Sequence, residues 1–271
     1  SILLCNSQNS RAREVQYLDL LRQQQVDGVL VVTSGAMGEE LEEFFKLTGA
    51  AVLALDRRIP QFKGPWIGGD PYPGARQAVQ HLLDLGHRNI GLVRGVEGNI
   101  SSDERYKALN RALVEAGLPE ERWTWVGEYT LETGIAAGLA LAELPAQKRP
   151  TAVIATSEFS AYSLIEGVSR HGISVPDQLS VVGYDNTAFA EVFRPALTVI
   201  AQPIEEMGEL AVDFILRMIN NAEQDEQLPP VAPVAGMRPP AAVKEAVEDA
   251  VLPTYLVIRS STAPARPVSS S

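Results

Sequence analysis

Polar side chains stand directly after three short apolar runs. Asp56 ends AVLALD, Asp185 ends LSVVGYD, and Gln202 follows the apolar run of LTVIAQP. If these runs are parallel strands, the loops at their carboxyl ends converge on one crevice, where open α/β sheets bind their ligands. Two carboxylates and an amide placed there accept hydrogen bonds from vicinal hydroxyl groups. The alternative is that the acids cap the following helix or turn.

No motif for catalysis is present. The sequence lacks G-x-G-x-x-G after a strand, G-x-x-x-x-G-K-[ST], G-x-S-x-G and H-E-x-x-H, and no nucleophile is paired with a base. His81 and His87 fall on different helix faces, and His171 stands near a helix end, so we expect surface or helix-terminal roles for them. We therefore expect no enzyme, no catalytic residue, no metal site and no cofactor.

Composition excludes several classes of partner. A formal charge of -11 without any Lys/Arg-rich tract leaves this stretch no electrostatic footprint for nucleic acid. Cys5 is the only cysteine, which excludes an internal disulfide and a cysteine-based zinc site. No apolar run is long enough to span a bilayer, and no secretory signal begins the chain. We expect no membrane partner and a cytoplasmic protein, although a mature secreted protein would show the same features.

Short apolar runs alternate with amphipathic segments, which is typical of βα units around a mainly parallel sheet. The predicted strands are Ile2-Cys5, Gly28-Val32, Ala51-Leu55, Ile90-Val93, Thr124-Val126, Ala152-Ala155, Leu179-Val182, Thr198-Ala201 and a last strand in PTYLVIR. Residues 220–250 are rich in Pro, Ala and acids and lack strand periodicity, so they predict an exposed excursion with one short helix at Ala241-Ala250.

Longer stretches carry a family resemblance. They are VDGVLVVTS, DPYPGARQAVQHLLDLGHRNIGLVRG, SSDERYKALNRALVEAGL, ISVPDQLSVVGYDNTAFAEVFRPALTVIAQPIEEMGELAVDFIL and LPTYLVIRSSTAP. In this order they resemble the effector-binding core of lactose-repressor (LacI/GalR) family transcription regulators, over nearly the whole chain outside 220–250. SVVGYDN followed by PALTVIAQPIEEMGELAV is the most specific part.

The resemblance implies an α/β fold of the type I periplasmic-binding-protein kind: two doubly wound parallel-sheet lobes, joined by three crossovers, with a ligand between them. Residues 1–69 with 202–250 would form the N-terminal lobe, and 70–201 with 251–262 the C-terminal lobe. Residues 263–271 would form a disordered tail. A ligand that prefers one lobe arrangement shifts the population toward it.

Family ligand positions fall, by the same resemblance, on six residues: Asp56, Arg105, Tyr129, Ser157, Asp185 and Gln202. Each suits a sugar-like effector, since Arg105 offers a rigid fork of donors, both Asp residues accept hydroxyl protons, and Tyr129 can stack on an apolar sugar face or simply pack. Two positions depart from the family. Ser157 and Glu158 replace a usual Asn-Asp pair, and Ala108 replaces a usual Gly, so the identity of the effector stays open.

The resemblance further implies that parts of the family protein are absent. The N-terminal helix-turn-helix that reads operator DNA is missing, and SILLC matches the second strand of the effector domain, so we expect a truncated core that reaches DNA only through the missing domain. Strand Ile2-Cys5 should then have one unpaired edge. We also expect a homodimer, for which apolar residues around Leu18, Leu21, Met37 and Phe44-Phe45 could serve, with core packing as the alternative.

The expected function is that of an effector-sensing core, which binds a small polar metabolite, most simply a carbohydrate, and couples this binding to operator affinity in the intact regulator. The alternative is a periplasmic sugar-binding protein of a transporter, which shares the fold and the crevice. That alternative predicts a monomer with an export signal upstream. The QPIEEMGELAV helix and the SVVGYDN turn favour the regulator.

Overall fold

The chain folds into two compact units in a computed structural model that describes residues 1–8, 10–33, 37–223 and 249–266. Unit 1 holds Ser1–Gly68 and Ile204–Leu252, and unit 2 holds Gly69–Pro203 and Pro253–Ser271. The boundaries differ by one or two residues from those of the predicted lobes. Across the described part of the chain, the backbone passes from one unit to the other at three points.

Helices and strands alternate along most of the chain. The helices of the described residues are α1 (Arg11–Gln23), α2 (Gly38–Thr48), α3 (Pro71–Asp84), α4 (Ile100–Glu115), α5 (Leu131–Glu143), α6 (Glu158–Ser169), α7 (Ala188–Val192) and α8 (Ile204–Glu223). The strands are β1 (Gly28–Val31), β2 (Ala51–Leu55), β3 (Trp66–Asp70), β4 (Ile90–Arg94), β5 (Thr124–Val126), β6 (Ala152–Ala155), β7 (Ser180–Tyr184), β8 (Thr198–Ala201), β9 (Ala250–Pro253) and β10 (Tyr255–Val257). None of the described helices is both long and apolar enough to cross a membrane.

Unit 2 is built on a six-stranded sheet in the order β10-β8-β7-β6-β4-β5. The strands from β8 to β5 run parallel, and β10 is antiparallel to β8. Central strand β6 shows why the sheet is covered on both faces. Ala152 and Ile154 pack with α3 and α4, whereas Val153 and Ala155 pack with α5 and α6, and all four are fully buried. A strand with two buried faces reads as a continuous apolar run, which is the pattern seen in the sequence.

Unit 1 has a four-stranded sheet in the order β1-β2-β3-β9, in which β1, β2 and β3 are parallel. Alternate residues of β2 again face opposite layers. Val52 packs with Leu41 and Phe44 of α2, while Leu53 packs with Ala211 and Phe214 of α8. Each unit therefore buries its own core on both sides of its sheet.

The predicted strand Ile2-Cys5 is wrong, because residues 1–7 form no strand. The side chains of Ile2 and Leu4 are 95% and 96% exposed, and no described strand pairs with this segment. A strand needs a neighbour that satisfies its N–H and C=O groups, and an apolar run without such a neighbour does not form one. The expectation of a strand with one free edge therefore fails together with the strand itself.

Two other strands differ from the sequence prediction. β3, with the sequence WIGGD, was missed because two glycines interrupt its apolar run. The last predicted strand, in PTYLVIR, is observed as β10 in the sheet of unit 2, and it is preceded by β9, which was not predicted and belongs to the other sheet. Thr254 separates them, and its hydroxyl donates to the carbonyl of Asp70 at 2.7 Å while it accepts from the N–H of Gly74 at 3.1 Å.

The predicted excursion at 220–250 lies largely outside the described residues. α8 extends to Glu223, and β9 begins at Ala250, so the short helix expected at Ala241-Ala250 also falls outside them apart from its end. The first residues of the tail predicted to be disordered, 263–271, are ordered. The N–H of Ala263 donates to Ser180 Oγ at 3.0 Å, and the N–H of Ala265 donates to the carbonyl of Leu85 at 2.7 Å, so these residues are held against unit 2.

Candidate functional site

The candidate site lies at the carboxyl edge of the unit 2 sheet. Because β4 to β8 are parallel, the residues that follow them meet at one edge, where ligands of open α/β sheets bind. Thr156 and Ser157 follow β6, Asp185 follows β7, and Gln202 follows β8. Arg105 reaches the same edge from the second turn of α4. The parallel arrangement of these strands thus brings residues that are far apart in sequence to the same edge of the sheet.

Arg105 holds Asp185 with a two-pronged contact. Its Nη2 donates to Oδ1 at 2.9 Å and its Nη1 to Oδ2 at 3.3 Å. Nη1 also donates to the carbonyl of Thr156 at 2.9 Å, and the guanidinium carbon lies 4.1 Å from the ring centre of Tyr184. The exposed fraction is 13% for the Arg105 side chain and 28% for Asp185. The pair is partly shielded from water. Its two hydrogen bonds fix the orientation of the guanidinium relative to the carboxylate, which a longer-range charge contact would not do.

The backbone of Asp185 fixes where its carboxylate points. Its φ is 84°, in the left-handed region that few residues other than Gly, Asn and Asp adopt. Its N–H donates to the carbonyl of Ile200 on β8 at 2.9 Å, which anchors the turn to the neighbouring strand. Gln202 Nε2 donates to Oδ1 at 3.0 Å. Arg105, Asp185 and Gln202 therefore form one hydrogen-bonded group of donors and acceptors.

Tyr129 and Ser157 flank this group in different ways. The Tyr129 hydroxyl shares a 3.0 Å hydrogen bond with Thr156 Oγ1, which ties the segment after β5 to the segment after β6. Ser157 caps α6, since its Oγ accepts from the N–H of Ser160 at 3.1 Å and donates to Ser160 Oγ at 2.9 Å. Its hydroxyl is thus engaged in helix capping, which was the competing role for polar residues at strand ends.

Asp56 belongs to unit 1, whereas the other five predicted site residues belong to unit 2. It follows β2 directly and has a φ of 66°. Its N–H donates to the carbonyl of Ile67 on β3 at 2.8 Å, and its Oδ2 lies 3.7 Å from Nε of Arg57. The structure therefore brings five predicted residues to one edge of unit 2 and gives Asp56 an equivalent position on the sheet of unit 1.

A pocket of about 700 Å³ in unit 2 includes part of the predicted site. Asp185, Tyr129 and Ser157 line it, together with aromatic side chains that the sequence analysis did not single out. The aromatic residues are Phe159, Tyr162, Phe189 and Phe193. The ring centres of Tyr162 and Phe193 are 4.6 Å apart, and those of Tyr162 and Phe189 are 5.1 Å apart. The four-residue spacing of Phe189, on α7, and Phe193, directly after it, is the sequence signal for this wall.

Glu158 is a site residue whose role the sequence missed. Its side chain accepts from the N–H of Thr187 at 2.7 Å and from the Thr187 hydroxyl at 2.6 Å. The Tyr162 hydroxyl donates to Glu158 Oε2 at 3.2 Å. Burial, and next the negative charge of Glu158, raise the pKa of the Tyr162 hydroxyl, so it stays protonated and remains a donor. The acid that stands in the family's Asn-Asp position thus holds the turn after β7.

The chemistry of the site is that of recognition. Charged donors, carboxylate and amide groups are placed to exchange hydrogen bonds with a polar ligand, and aromatic rings supply an apolar wall. Among the described residues, no three His, Cys, Asp or Glu side chains are arranged to hold a metal ion.

The sequence of this chain is similar to those of known proteins. Residues 79–236 match the model of a periplasmic binding protein-like domain. The HTH-type transcriptional repressor PurR of Actinobacillus pleuropneumoniae serotype 3 (strain JL03) is 33% identical over 220 residues, which cover 81% of this chain and 65% of the relative. Catabolite control protein A of Priestia megaterium is 32% identical over 230 residues, which cover 84% of this chain and 68% of that protein. The chain thus spans about two thirds of the length of these relatives.

Solved structures show the same fold. A LacI family transcriptional regulator from Enterococcus faecium, with bound ribose, has a TM-score of 0.75 and 27% identity, over 93% of this chain and 85% of that chain. A dimeric lac repressor with a C-terminal deletion has a TM-score of 0.73 and 22% identity, over 93% of this chain and 84% of that chain, and supports the fold alone. The predicted periplasmic-binding-protein-like α/β fold is therefore confirmed.

Proposed function

The chain belongs to the LacI family of transcriptional regulators. We propose that it is the effector-sensing core of such a regulator. The observation that carries the proposal is the group formed by Arg105, Asp185 and Gln202 at the carboxyl edge of the unit 2 sheet. These three side chains come from separate segments and are held to one another, which is the arrangement of a preformed binding site rather than of a surface ion pair.

The proposed effector is a small molecule with several hydroxyl groups, most simply a carbohydrate. Asp185 supplies a carboxylate that accepts hydroxyl protons, and Arg105 and Gln202 supply donors beside it. The ribose in the Enterococcus faecium relative supports this class of ligand. Tyr129, Ser157 and Asp56 complete the proposed ligand set, with Ser157 acting mainly through the start of α6.

Operator DNA is the proposed partner of the whole regulator. The family resemblance assigns DNA binding to an N-terminal helix-turn-helix domain, and the net charge of -11 of this chain does not favour binding to phosphates. Effector binding would change operator affinity, and by linkage operator binding would change effector affinity to the same extent. We further propose that the protein is not an enzyme and that it acts in the cytoplasm. A relative named as a transcriptional repressor and a similar structure named as a transcriptional regulator favour this function over a transporter's sugar-binding protein.

The proposed assembly is a homodimer, and three of the residues suggested by the sequence are excluded from its contact. Leu21, Met37 and Phe44 are buried in the core of unit 1, so they are not available to a partner. Phe45, the next residue of α2, is 47% exposed, so we assign the dimer contact to the surface of unit 1 around it. Exposed apolar side chains are typical of a surface that a second copy covers.

Calorimetric titration tests the proposed function. Ribose, other pentoses and hexoses, and free nucleobases are titrated into the whole chain. We expect a saturable heat of binding with at least one ligand that carries several hydroxyl groups. The absence of saturable heat with every one of these compounds contradicts the sensor role.

A further inference from the structure

Three consecutive residues after β7 are each held by a side chain from a different segment of the chain. Asp185 is held by Arg105 of α4. The next residue, Asn186, accepts a hydrogen bond at 2.7 Å from Nη2 of Arg259, whose Nη1 also donates to the carbonyl of Leu197 at 2.8 Å. Thr187 is held by Glu158, the first residue of α6. The turn that carries the proposed effector carboxylate is thus fixed at every residue from 185 to 187.

The turn needs such support because of its backbone. Asp185 has a φ of 84°, and a residue other than Gly is strained in the left-handed region, so it stays there only when contacts with its surroundings compensate the strain. Thr187 stands at the N-cap of α7, but its hydroxyl makes no capping bond to that helix. The hydroxyl donates to Glu158 instead. The link between turn and helix α6 therefore takes precedence over capping of α7.

The position of Glu158 suits this contact with Thr187. Its side chain is buried, and within the described residues its carboxylate forms no ion pair with Lys or Arg. A buried carboxylate is costly unless hydrogen bonds satisfy it, and its donors are Thr187 and Tyr162. The competing role is stabilisation of α6, since acids at helix starts favour the helix dipole. That role would leave the turn at Asp185 unaffected.

We infer that Glu158 is a positioning residue of the effector site: through Thr187 it fixes the turn after β7, and thereby the carboxylate of Asp185 beside Arg105. The inference rests on the proposed effector role of Asp185. It gives a physical meaning to the change from Asn-Asp to Ser157-Glu158, because the acid, which lines the same pocket as Asp185, accepts two hydrogen bonds from Thr187 in the turn.

Amide hydrogen exchange of the ligand-free whole chain, measured by NMR, tests the inference. The reporter is the N–H of Asp185, which donates to Ile200 and does not contact Glu158. Exchange of this amide, relative to a core amide such as that of Leu164, is expected to rise at least about tenfold in Glu158→Ala, which corresponds to about 1.4 kcal/mol of local opening. Glu158→Gln should retain most of the protection, because its amide oxygen still accepts from Thr187.

The control is Glu166→Ala on the same helix, where an exposed carboxylate pairs with Arg170 at 2.8 Å. It should leave the Asp185 amide unchanged. Unchanged relative exchange in Glu158→Ala overturns the inference. If Glu158→Ala does not fold, Thr187→Val decides, since it removes only the hydroxyl contact: several-fold faster exchange at Asp185 supports the inference, and wild-type exchange refutes it.

Sugar titration separates this inference from the proposed function. A wild-type chain that binds none of the sugars, combined with faster Asp185 exchange in Glu158→Ala, rejects the effector role and keeps Glu158 as the residue that fixes the turn. A wild-type chain that binds a sugar, combined with unchanged exchange, keeps the effector role and rejects the role of Glu158.

Discussion

Asp185 and Asp56 share one backbone arrangement although they lie in different units of the chain. Each follows a parallel strand, each has a left-handed φ, of 84° and 66° respectively, and each donates its N–H to the carbonyl of the neighbouring strand. The acceptors are Ile200, at 2.9 Å, and Ile67, at 2.8 Å. The same turn therefore presents a carboxylate at the carboxyl edge of both sheets. This repetition supports the assignment of one chemical role to both acids.

Arg105→Lys should weaken sugar binding. Lys is a point donor and cannot keep two bonds to Asp185 together with the bond to the carbonyl of Thr156. Loss of hydrogen bonds to a charged group, worth about 1.5–3 kcal/mol, predicts an affinity roughly 10- to 100-fold lower by calorimetry for the sugar that binds wild type most tightly. Arg111→Lys, at an exposed position of the same helix, is the control. Equal affinities of Arg105→Lys and wild type refute this role.

Phe45 should contribute to the homodimer contact. Phe45→Asp places a charge where a large apolar side chain of α2 is exposed, so sedimentation equilibrium is expected to show monomers for this variant and dimers for wild type. Val114→Asp, which changes an exposed apolar residue on α4, should remain dimeric. A dimer that survives Phe45→Asp places the contact elsewhere.

Stability should fall on mild acidification because of His87. Burial is the main cause that lowers the pKa of this imidazole; the carbonyl of Ala263 opposes the shift, and His81 adds to it. The unfolded chain, with a His pKa of about 6.5, therefore takes up the proton first, so the stabilisation is complete above pH ~6.5 and is lost as the pH falls toward the lower pKa of the folded state. The pKa of His81 is lowered in the same direction.

Urea unfolding between pH 7.5 and pH 5 measures this effect. The unfolding free energy of wild type should decrease toward pH 5, and His87→Gln should show a smaller decrease. Nε2 of His87 lies 3.0 Å from the carbonyl of Ala263, a contact that the protonated ring keeps, and Nδ1 lies 2.9 Å from Thr151 Oγ1. Protonation therefore changes the contact with Thr151, because both ring nitrogens then donate. Identical pH slopes for both proteins would show that His87 is not the responsible group.

Gly138→Ala should destabilise unit 2. A Cβ at this position of α5 would lie 2.7 Å from backbone atoms of Gly167 on α6, and backbone atoms cannot move aside without separating the helices. Overpacking of this kind costs about 1–3 kcal/mol in the unfolding free energy. Gly208→Ala on α8 is the matched control, because its Cβ would meet nothing within 4 Å. Urea unfolding should show Gly208→Ala to be at least as stable as wild type, since Ala favours helices.

Sequence reasoning was most successful where local pattern decides structure. The central strands β2 and β6 were predicted with their observed bounds, because a strand buried on both faces is a short apolar run between helix signals. The strand-end rule and the family resemblance together pointed to Arg105, Asp185 and Gln202, which the structure places in contact. The strand bounds depend on features of a short stretch of sequence, whereas the prediction of Arg105 depended on the family resemblance.

Long-range contacts were not predictable in this way. Glu158 and Thr187 are separated by 29 residues, and no periodicity links them, so the contact that fixes the turn appears only in the folded structure. The wrongly predicted strand Ile2-Cys5 shows the same limit, because an apolar run becomes a strand only when a neighbouring strand forms backbone hydrogen bonds with it. The apolar residues Leu21 and Met37 show it again, since composition cannot separate a core from an interface.

Calorimetric titration of the tightest-binding sugar into wild type and Asp185→Asn tests the central claim most directly. Asn tolerates the left-handed backbone of Asp185 and keeps one acceptor, but it removes the charge that Arg105 and Gln202 both contact. We predict saturable binding to wild type and an affinity lower by about 10-fold or more for Asp185→Asn, at unchanged secondary structure, as expected for loss of a charge-assisted hydrogen bond. Equal affinity in the two proteins would contradict an effector site built on Asp185.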